Sequence, residues 1–239
     1  RTMSNQNNNL CALRDVSGRY PLHCILLRLC QQQQQKHQQQ IPVQVIQSIL
    51  DRYPVAAQKV VDPNNNKTGG YFPLHIACAS NAPATIIQSL LHAYPPAAAS
   101  MTTYSEEEEH VDNNNKQLPI HMACRHANIN FKSVQALLAC YPSSCHVRDG
   151  KHGCLPLHYC CMAKSASCHS NTGGVSSDPT NNSGSNNNGS EAVKVVKLLL
   201  REYPRGAAVR DDHGCLPLLV AVRNMNASSS SSSSSASAS

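Results

Sequence analysis

Two short motifs alternate along this chain, and their order restricts the possible folds more than any other feature of the sequence. The first motif is a proline, an aliphatic residue and a histidine, at Pro21-Leu22-His23, Pro73-Leu74-His75, Pro119-Ile120-His121 and Pro156-Leu157-His158. The second motif ends in Tyr-Pro, at Tyr53-Pro54, Tyr94-Pro95, Tyr141-Pro142 and Tyr203-Pro204. A fifth copy of the first motif, Pro217-Leu218-Leu219, lacks the histidine. Strict alternation of this kind indicates a tandem repeat of one structural unit.

Each unit has the sequence pattern of two helices. Before each Tyr-Pro, apolar residues stand at i, i+3, i+4 and i+7, as at Val134, Leu137, Leu138 and Tyr141. This spacing places one apolar stripe on one helical face, and the proline that follows Tyr141 cannot continue the helix. Proline is well tolerated in the first turn of a helix, so the first motif predicts a helix start. The unit is therefore predicted to be a turn, a short helix, a longer helix and a terminating proline.

The spacing of the units defines the expected domains. His121 and His158 are 37 positions apart, and the longer intervals contain insertions near 31–40, 105–115 and 165–190. We expect about four and a half repeats over residues 15–226. A flexible Asn-rich segment is expected at 1–14. A disordered Ser-rich tail is expected at 227–239, because it offers no apolar area to offset the cost of ordering.

Composition excludes several classes of protein. The formal charge is +6, but the cations are scattered, which argues against a nucleic-acid surface. No apolar run reaches the roughly 18–20 residues of a membrane span, so membrane insertion is not expected. Many of the twelve cysteines recur at equivalent positions in the units, as buried thiols would. We therefore expect reduced cysteines and an intracellular protein, either cytoplasmic or nuclear.

The turn before the first motif resembles a known family. Residues 15–23, Asp-Val-Ser-Gly-Arg-Tyr-Pro-Leu-His, match the ankyrin repeat signature Asp-x-x-Gly-x-Thr-Pro-Leu-His at every position except the threonine, and residues 211–218 do the same. The resemblance implies an all-α solenoid of stacked helix-turn-helix repeats joined by hairpin or loop fingers. This chain departs from the family in two places, since a bulky apolar residue replaces the threonine and Tyr-Pro replaces the glycine that usually ends the second helix. The tetratricopeptide repeat, the nearest alternative, lacks the Pro-Leu-His start.

The histidines of the first motif could suggest catalysis or metal binding. They occur once per unit and are therefore expected about a repeat apart, without converging on one site. The resemblance implies that each instead forms a hydrogen bond to the backbone and braces neighbouring repeats. The sequence contains no Gly-x-Ser-x-Gly and no phosphate-binding loop, so no catalytic residue and no cofactor are expected.

One cluster leaves a metal-binding module open as an alternative. It runs from Cys154 to His169 and includes His158, Cys160, Cys161 and Cys168. Zinc sites favour paired ligands such as Cys-x2-Cys, and this segment has no such pair. The repeat accounts for every member except Cys168 and His169, so the prediction is that no metal is held here.

These observations predict a non-catalytic scaffold that binds another protein. The resemblance implies contact through the concave face and the hairpin tips. The matching tip residues are Arg148, Asp149, Lys151, His152, Arg210, Asp211, Asp212 and His213. The Asp residues could instead serve only their own turns. The main alternative is that the chain is a regulatory part of a larger enzyme or channel whose catalytic part lies outside it. The identity of the partner and the oligomeric state are left open.

Overall fold

The computed structural model describes residues 14–15, 19–32, 43–60, 69–104, 116–163 and 188–229. The expectations for the Asn-rich segment, for the three insertions and for the Ser-rich tail fall wholly or mostly outside these residues. All statements below concern the part of the chain that the structure describes.

The first helix of each unit begins at the proline of the first motif. These helices are α1 Pro21–Gln32, α3 Pro73–Ala79, α5 Pro119–Cys124, α7 Pro156–Met162 and α9 Pro217–Ser229. The proline suits this position because the N–H that it lacks would have had no partner within the helix. Helix α9 continues to Ser229, past the domain boundary that the sequence predicts at residue 226.

The second helix of each unit ends one residue before Tyr-Pro, as the sequence predicts. These helices are α2 Val43–Arg52, α4 Ala84–Ala93, α6 Phe131–Cys140 and α8 Asn188–Glu202. At the end of α6, Tyr141 has left helical geometry, with φ −139° and ψ 84°. A short 3-10 turn follows each tyrosine, at Pro54–Gln58, Pro95–Ala99, Pro142–His146 and Pro204–Ala208. The residue before a proline is biased away from helical geometry, which explains why all four helices stop in the same register.

The helices stack in two layers. Successive first helices contact each other from α1 through α9, and successive second helices do so from α2 through α8. Within a unit, the first helix packs on the second. Small buried residues such as Ala77, Cys78 and Cys124 let the first helices approach closely. The arrangement is an all-α solenoid, so the predicted fold is confirmed.

Fingers connect each 3-10 turn to the next first helix. The fourth finger spans residues 148–154, before α7, and the fifth spans residues 210–215, before α9. Two earlier fingers pair through two-residue antiparallel strands, β1 Gly69–Gly70 and β2 Thr103–Tyr104, with Gly70 opposite Thr103. Neighbouring fingers are thus linked to each other as well as to the helices. No helix in the described ranges combines the length and the apolar character needed to cross a bilayer.

Candidate partner-binding surface

Each of the last two fingers is closed by a pair of residues that exchange two hydrogen bonds. Asp149 N–H donates to the Cys154 carbonyl at 2.8 Å, and Cys154 N–H donates to Asp149 Oδ1 at 2.7 Å. Asp211 and Cys215 form the same two bonds at 3.0 and 2.7 Å. An aspartate that accepts a nearby backbone N–H in this way stabilises a tight turn. The two fingers therefore share the same pair of closing hydrogen bonds, although the fifth finger is one residue shorter between them.

The Asp149 carboxylate lies inside the structure. Only 3% of Asp149 is exposed, and its Oδ2 accepts hydrogen bonds from the Tyr159 hydroxyl at 2.7 Å and from Gln117 Nε2 at 3.2 Å. Burial by itself would raise the pKa of Asp149, but the hydrogen bonds that the carboxylate accepts outweigh it, so the pKa lies below its ordinary value. Asp211 is also buried. The prediction grouped Asp149 and Asp211 with the contact residues at the tips, whereas the structure uses both carboxylates to hold their own turns.

A glycine in each finger permits the turn. Gly153 and Gly214 have φ +62° and +74°, in the left-handed region that side chains with a Cβ rarely adopt. A Cβ on Gly153 would lie 2.1 Å from Oδ1 of Asp212, whereas a Cβ on Gly214 would meet no atom within 4 Å. Gly153 thus serves both the turn and the close approach of the next finger.

The fourth and fifth fingers are joined to each other. Asp212 N–H donates to the His152 carbonyl at 2.9 Å, and the Arg148 guanidinium donates to the Arg210 carbonyl. Arg148 Nη1 and Asp212 Oδ1 are 3.6 Å apart in an exposed ion pair. The rings of His152 and His213 have centroids 5.6 Å apart. Backbone and side chains therefore hold the two tips in a fixed relation.

Six of the eight predicted contact residues reach the surface of these joined fingers, namely Arg148, Lys151, His152, Arg210, Asp212 and His213. Their exposed side chains comprise three cations and one carboxylate, besides the two imidazoles. This set of six is called the tip surface below. The tip surface is compact, because its members come from two adjacent turns that are hydrogen-bonded to each other.

Three of the first helices, α3, α5 and α7, contribute little to any contact surface. All six residues of α5 are buried, as are residues 73–78 of α3 and residues 156–160 of α7. Each of these helices is only six or seven residues long and lies between two neighbouring first helices and its own second helix. The sequence analysis expected contact through the hairpin tips and through the concave face, which in such a solenoid the first helices help to form. In the structure these three first helices have almost no exposed side chains, whereas six of the predicted tip residues reach the surface.

The repeated histidine braces the units, as the resemblance implies. His121 Nδ1 accepts the Leu118 N–H at 3.1 Å, which leaves the ring proton on Nε2, and Nε2 lies 3.0 Å from the Val147 carbonyl. The equivalent carbonyls for His23, His75 and His158 belong to Lys59, Ser100 and Cys215. Each histidine thus connects its first helix to the backbone that leads into, or lies within, the next finger.

Burial keeps these histidines neutral. It lowers the pKa of His23 and of His75 to about 4, and it also lowers the pKa of His121 and of His158. Both ring nitrogens of His75, His121 and His158 are engaged by the backbone. Those nitrogens hold the fold together, and in this state they cannot ligate a metal or act as a base.

The cluster that suggested a metal site is spread through the interior. Cys154 is buried at the end of the fourth finger, and burial raises the pKa of its thiol to about 12. Cys160 lies against Cys124 between α5 and α7. Among the described residues, no three His, Cys, Asp or Glu side chains lie close enough together to hold a metal ion. Cys168 and His169 lie outside the described residues.

The sequence did not identify the two buried side chains that form hydrogen bonds to the Asp149 carboxylate of the fourth finger. Gln117 Nε2 donates to the Tyr159 hydroxyl at 2.6 Å, and both side chains bond to Asp149. Gln117 also closes the third finger, which spans residues 102–117 and is described at 102–104 and 116–117. It exchanges two hydrogen bonds with Thr102, both at 3.0 Å. Thr102, like Asp149, stands eight positions after the tyrosine of a Tyr-Pro. That constant spacing was the signal that could have identified it.

Comparison with known proteins agrees with this architecture. The family model for ankyrin repeats, which describes three copies of the repeat, matches residues 74–170. This range begins at Leu74, within the second Pro-aliphatic-His sequence, contains the third and fourth in full, and ends beyond the fourth finger. No curated protein matches the chain at a significant level.

Proposed function

The chain belongs to the ankyrin repeat family, and from that premise we propose that it is a non-catalytic scaffold that binds another protein through the tip surface. Proteins of this family are generally protein-interaction modules. The observation that carries the proposal is the hydrogen-bonded pairing of the fourth and fifth fingers, which presents six polar side chains side by side. A surface held in place before binding loses little conformational entropy when a partner docks.

The charge of the tip surface favours a particular kind of partner. Arg148 is engaged by the fifth finger and Arg210 by the Gly214 carbonyl, which orients both cations. Lys151 extends from the neighbouring turn into solvent. Only one exposed carboxylate, that of Asp212, accompanies them. We infer that the partner offers an acidic segment, since complementary charge gives specificity and speeds association.

Other features support a binding role in an intracellular compartment. Among the described histidines of the first motif, three use both ring nitrogens for the fold, which supports a role without catalysis. Nine described cysteines are free, and most of them are buried. Free thiols in these numbers are typical of a reducing compartment such as the cytoplasm or the nucleus.

The test is affinity capture from lysate of cells that express the protein, with three baits. The first bait is the unaltered chain, and the second carries Lys151→Glu and Arg210→Glu. The third, a matched control, carries Lys197→Glu and Arg205→Glu, which make the same charge change at exposed positions of α8 and of the 3-10 turn that follows it. Circular dichroism first establishes that all three baits have the same helicity.

We expect a protein that the first and third baits retain and the second loses, with affinity at least about tenfold lower when measured with the purified partner, as for oriented charge pairs. Higher salt should weaken the same complex. Equal retention by the second and first baits would rule out the tip surface. If only the third bait lost the protein, the partner would bind at α8 or the 3-10 turn that follows it, and the tip surface would not be the site.

A further inference from the structure

Three successive fingers each carry an exposed cation that forms no ion pair with a carboxylate in the described part of the chain. These cations are Lys116 near the end of the third finger, Lys151 in the fourth and Arg210 in the fifth. The exposed Arg148 is not counted with them, because it already pairs with the Asp212 carboxylate. The set of Lys116, Lys151 and Arg210 is called the cation row below.

Backbone hydrogen bonds fix the order of the three fingers. Gly150 N–H donates to the Lys116 carbonyl at 2.8 Å, and Asp212 N–H donates to the His152 carbonyl at 2.9 Å. In both contacts the donor directly follows the aspartate that closes its finger. The same kind of contact therefore repeats along the stack, and the cation row has one member on each of three hydrogen-bonded neighbours.

The distance between neighbouring fingers follows from this hydrogen bonding. Each of the three fingers has two arms that are hydrogen-bonded to each other. Hydrogen-bonded backbone segments lie about 4.8 Å apart, so two arms per finger give a repeat of about 9.6 Å. Packed helices are separated by about 8–10 Å, which fits the same repeat. A partner that contacts every finger must therefore present a side chain about every 10 Å along one face.

Few backbone conformations repeat on one face at that distance. A polyproline II helix has three residues per turn and a rise of about 3.1 Å per residue, so every third side chain lies on one face, about 9.3 Å apart. A β-strand places the side chains of one face about 6.6 Å apart, because successive side chains alternate between faces. An α-helix returns to the same face after about seven residues, which span about 10.5 Å. The polyproline II helix and the α-helix both match the fingers.

Of these two conformations, the polyproline II helix needs fewer ordered residues. It reaches three fingers with about seven residues, whereas an α-helix needs about fifteen, and each ordered residue costs conformational entropy. Unfolded chains already populate the polyproline II conformation, which lowers that cost further. We propose that the acidic segment of the partner binds along the cation row as a polyproline II helix with a carboxylate at every third position. This inference rests on the function proposed above and adds the conformation and the charge spacing of the partner.

The experiment measures fluorescence anisotropy of three labelled peptides with the 239-residue chain. The first peptide is Glu-Pro-Ala repeated three times. The second has the same composition but carries glutamate at positions 1, 3 and 5, and the third is a helical peptide of Ala and Gln with glutamate at positions 1, 8 and 15. Each peptide is also titrated with the Lys116→Gln, Lys151→Gln and Arg210→Gln variants. Lys197→Gln, at an exposed position of α8, is the matched control.

We expect the first peptide to bind about fivefold more tightly than either of the others, because only it places three carboxylates on one face at the repeat of the fingers without ordering a long helix. Each variant of the cation row should weaken this binding by up to about fivefold, the effect of one exposed charge pair. Lys197→Gln should leave the affinity unchanged.

Equal affinity for the first and second peptides would overturn the proposed spacing and leave the scaffold proposal standing, because charge alone would then explain binding. Tighter binding of the helical peptide would overturn the proposed conformation. Failure of the first peptide to bind, or binding that the three variants of the cation row do not weaken, would overturn the inference as a whole. The capture experiment described above decides separately whether the tip surface binds a protein.

Discussion

At the scale of single residues, the buried histidines couple each unit to the next and also make the stack sensitive to acid. His75 is fully buried, and its Nε2 lies 2.9 Å from the Ser100 carbonyl. A charged imidazole would lose its Nδ1 acceptor and would have to be desolvated. The folded state therefore holds the neutral form, while the unfolded chain protonates near pH 6.5.

This arrangement predicts lower stability as the pH falls from about 6.5 towards 4. Burial lowers the pKa of His75 to about 4 in the folded state, so the unfolded state binds the proton first as the pH falls. The contribution of neutral His75 to the free energy of unfolding is therefore fully present above about pH 6.5 and is lost progressively below it. His75 alone should account for about 2 kcal/mol of the loss between pH 7 and pH 5. Urea unfolding of the full chain at pH 7 and at pH 5 measures the total loss of stability.

The His75→Gln variant should reduce this pH dependence, because glutamine does not titrate in the range. The exposed His92 at the end of α4 provides the control, and His92→Gln should leave the pH dependence unchanged. An equal acid response in His75→Gln and the unaltered chain would show that His75 is not a source of the sensitivity.

The two finger glycines allow the backbone cost to be separated from the contact between fingers. Gly214→Ala should cost about 1–2 kcal/mol, the price of a left-handed non-glycine residue. Gly153→Ala should cost the same plus up to about 1 kcal/mol, because the exposed Asp212 carboxylate must turn away and release its ion pair with Arg148. Thermal unfolding of both variants gives the comparison. A smaller loss for Gly153→Ala than for Gly214→Ala would contradict this account.

At the scale of secondary-structure elements, the ends of the second helices follow from a local motif that can be recognised in the sequence. The Tyr-Pro motif predicts four helix ends, and all four are confirmed, because proline and the residue before it act through local sterics. Helix starts vary more. The first helices begin with proline, whereas α6 is preceded by Asn130, whose side chain accepts the Ser133 N–H at 3.3 Å.

The Asn130 cap leads to a prediction for α6. Asn130→Ala should lower the free energy of unfolding by about 1 kcal/mol, since an N–H of the first turn loses its acceptor. Asn130→Ser keeps a side-chain oxygen at the cap and should lose much less. Guanidinium unfolding of both variants is the measurement. An equal loss of unfolding free energy in the two variants would show that Asn130 stabilises α6 by packing and not by capping.

At the scale of the whole molecule, the sequence predicted the repeat and its order but not what each surface exposes. The alternating motifs are local, and stacking follows because each unit buries its apolar face only on its neighbours. Burial of Asp149 depends on Gln117 and Tyr159, which lie 32 and 10 positions away along the chain, so no local pattern signals it. The near-complete burial of α5 likewise depends on neighbours on three sides.

The third finger shows that a finger can change in length while the helices beside it still pack on each other. Thr102 and Gln117 form the same closing bonds as Asp149 and Cys154, although fourteen residues lie between the first pair and four between the second. In both cases the helices on either side of the finger pack on each other. Such a closure makes the tip a site where evolution can add or remove sequence without repacking the interior, and where a reporter domain could be grafted into the protein.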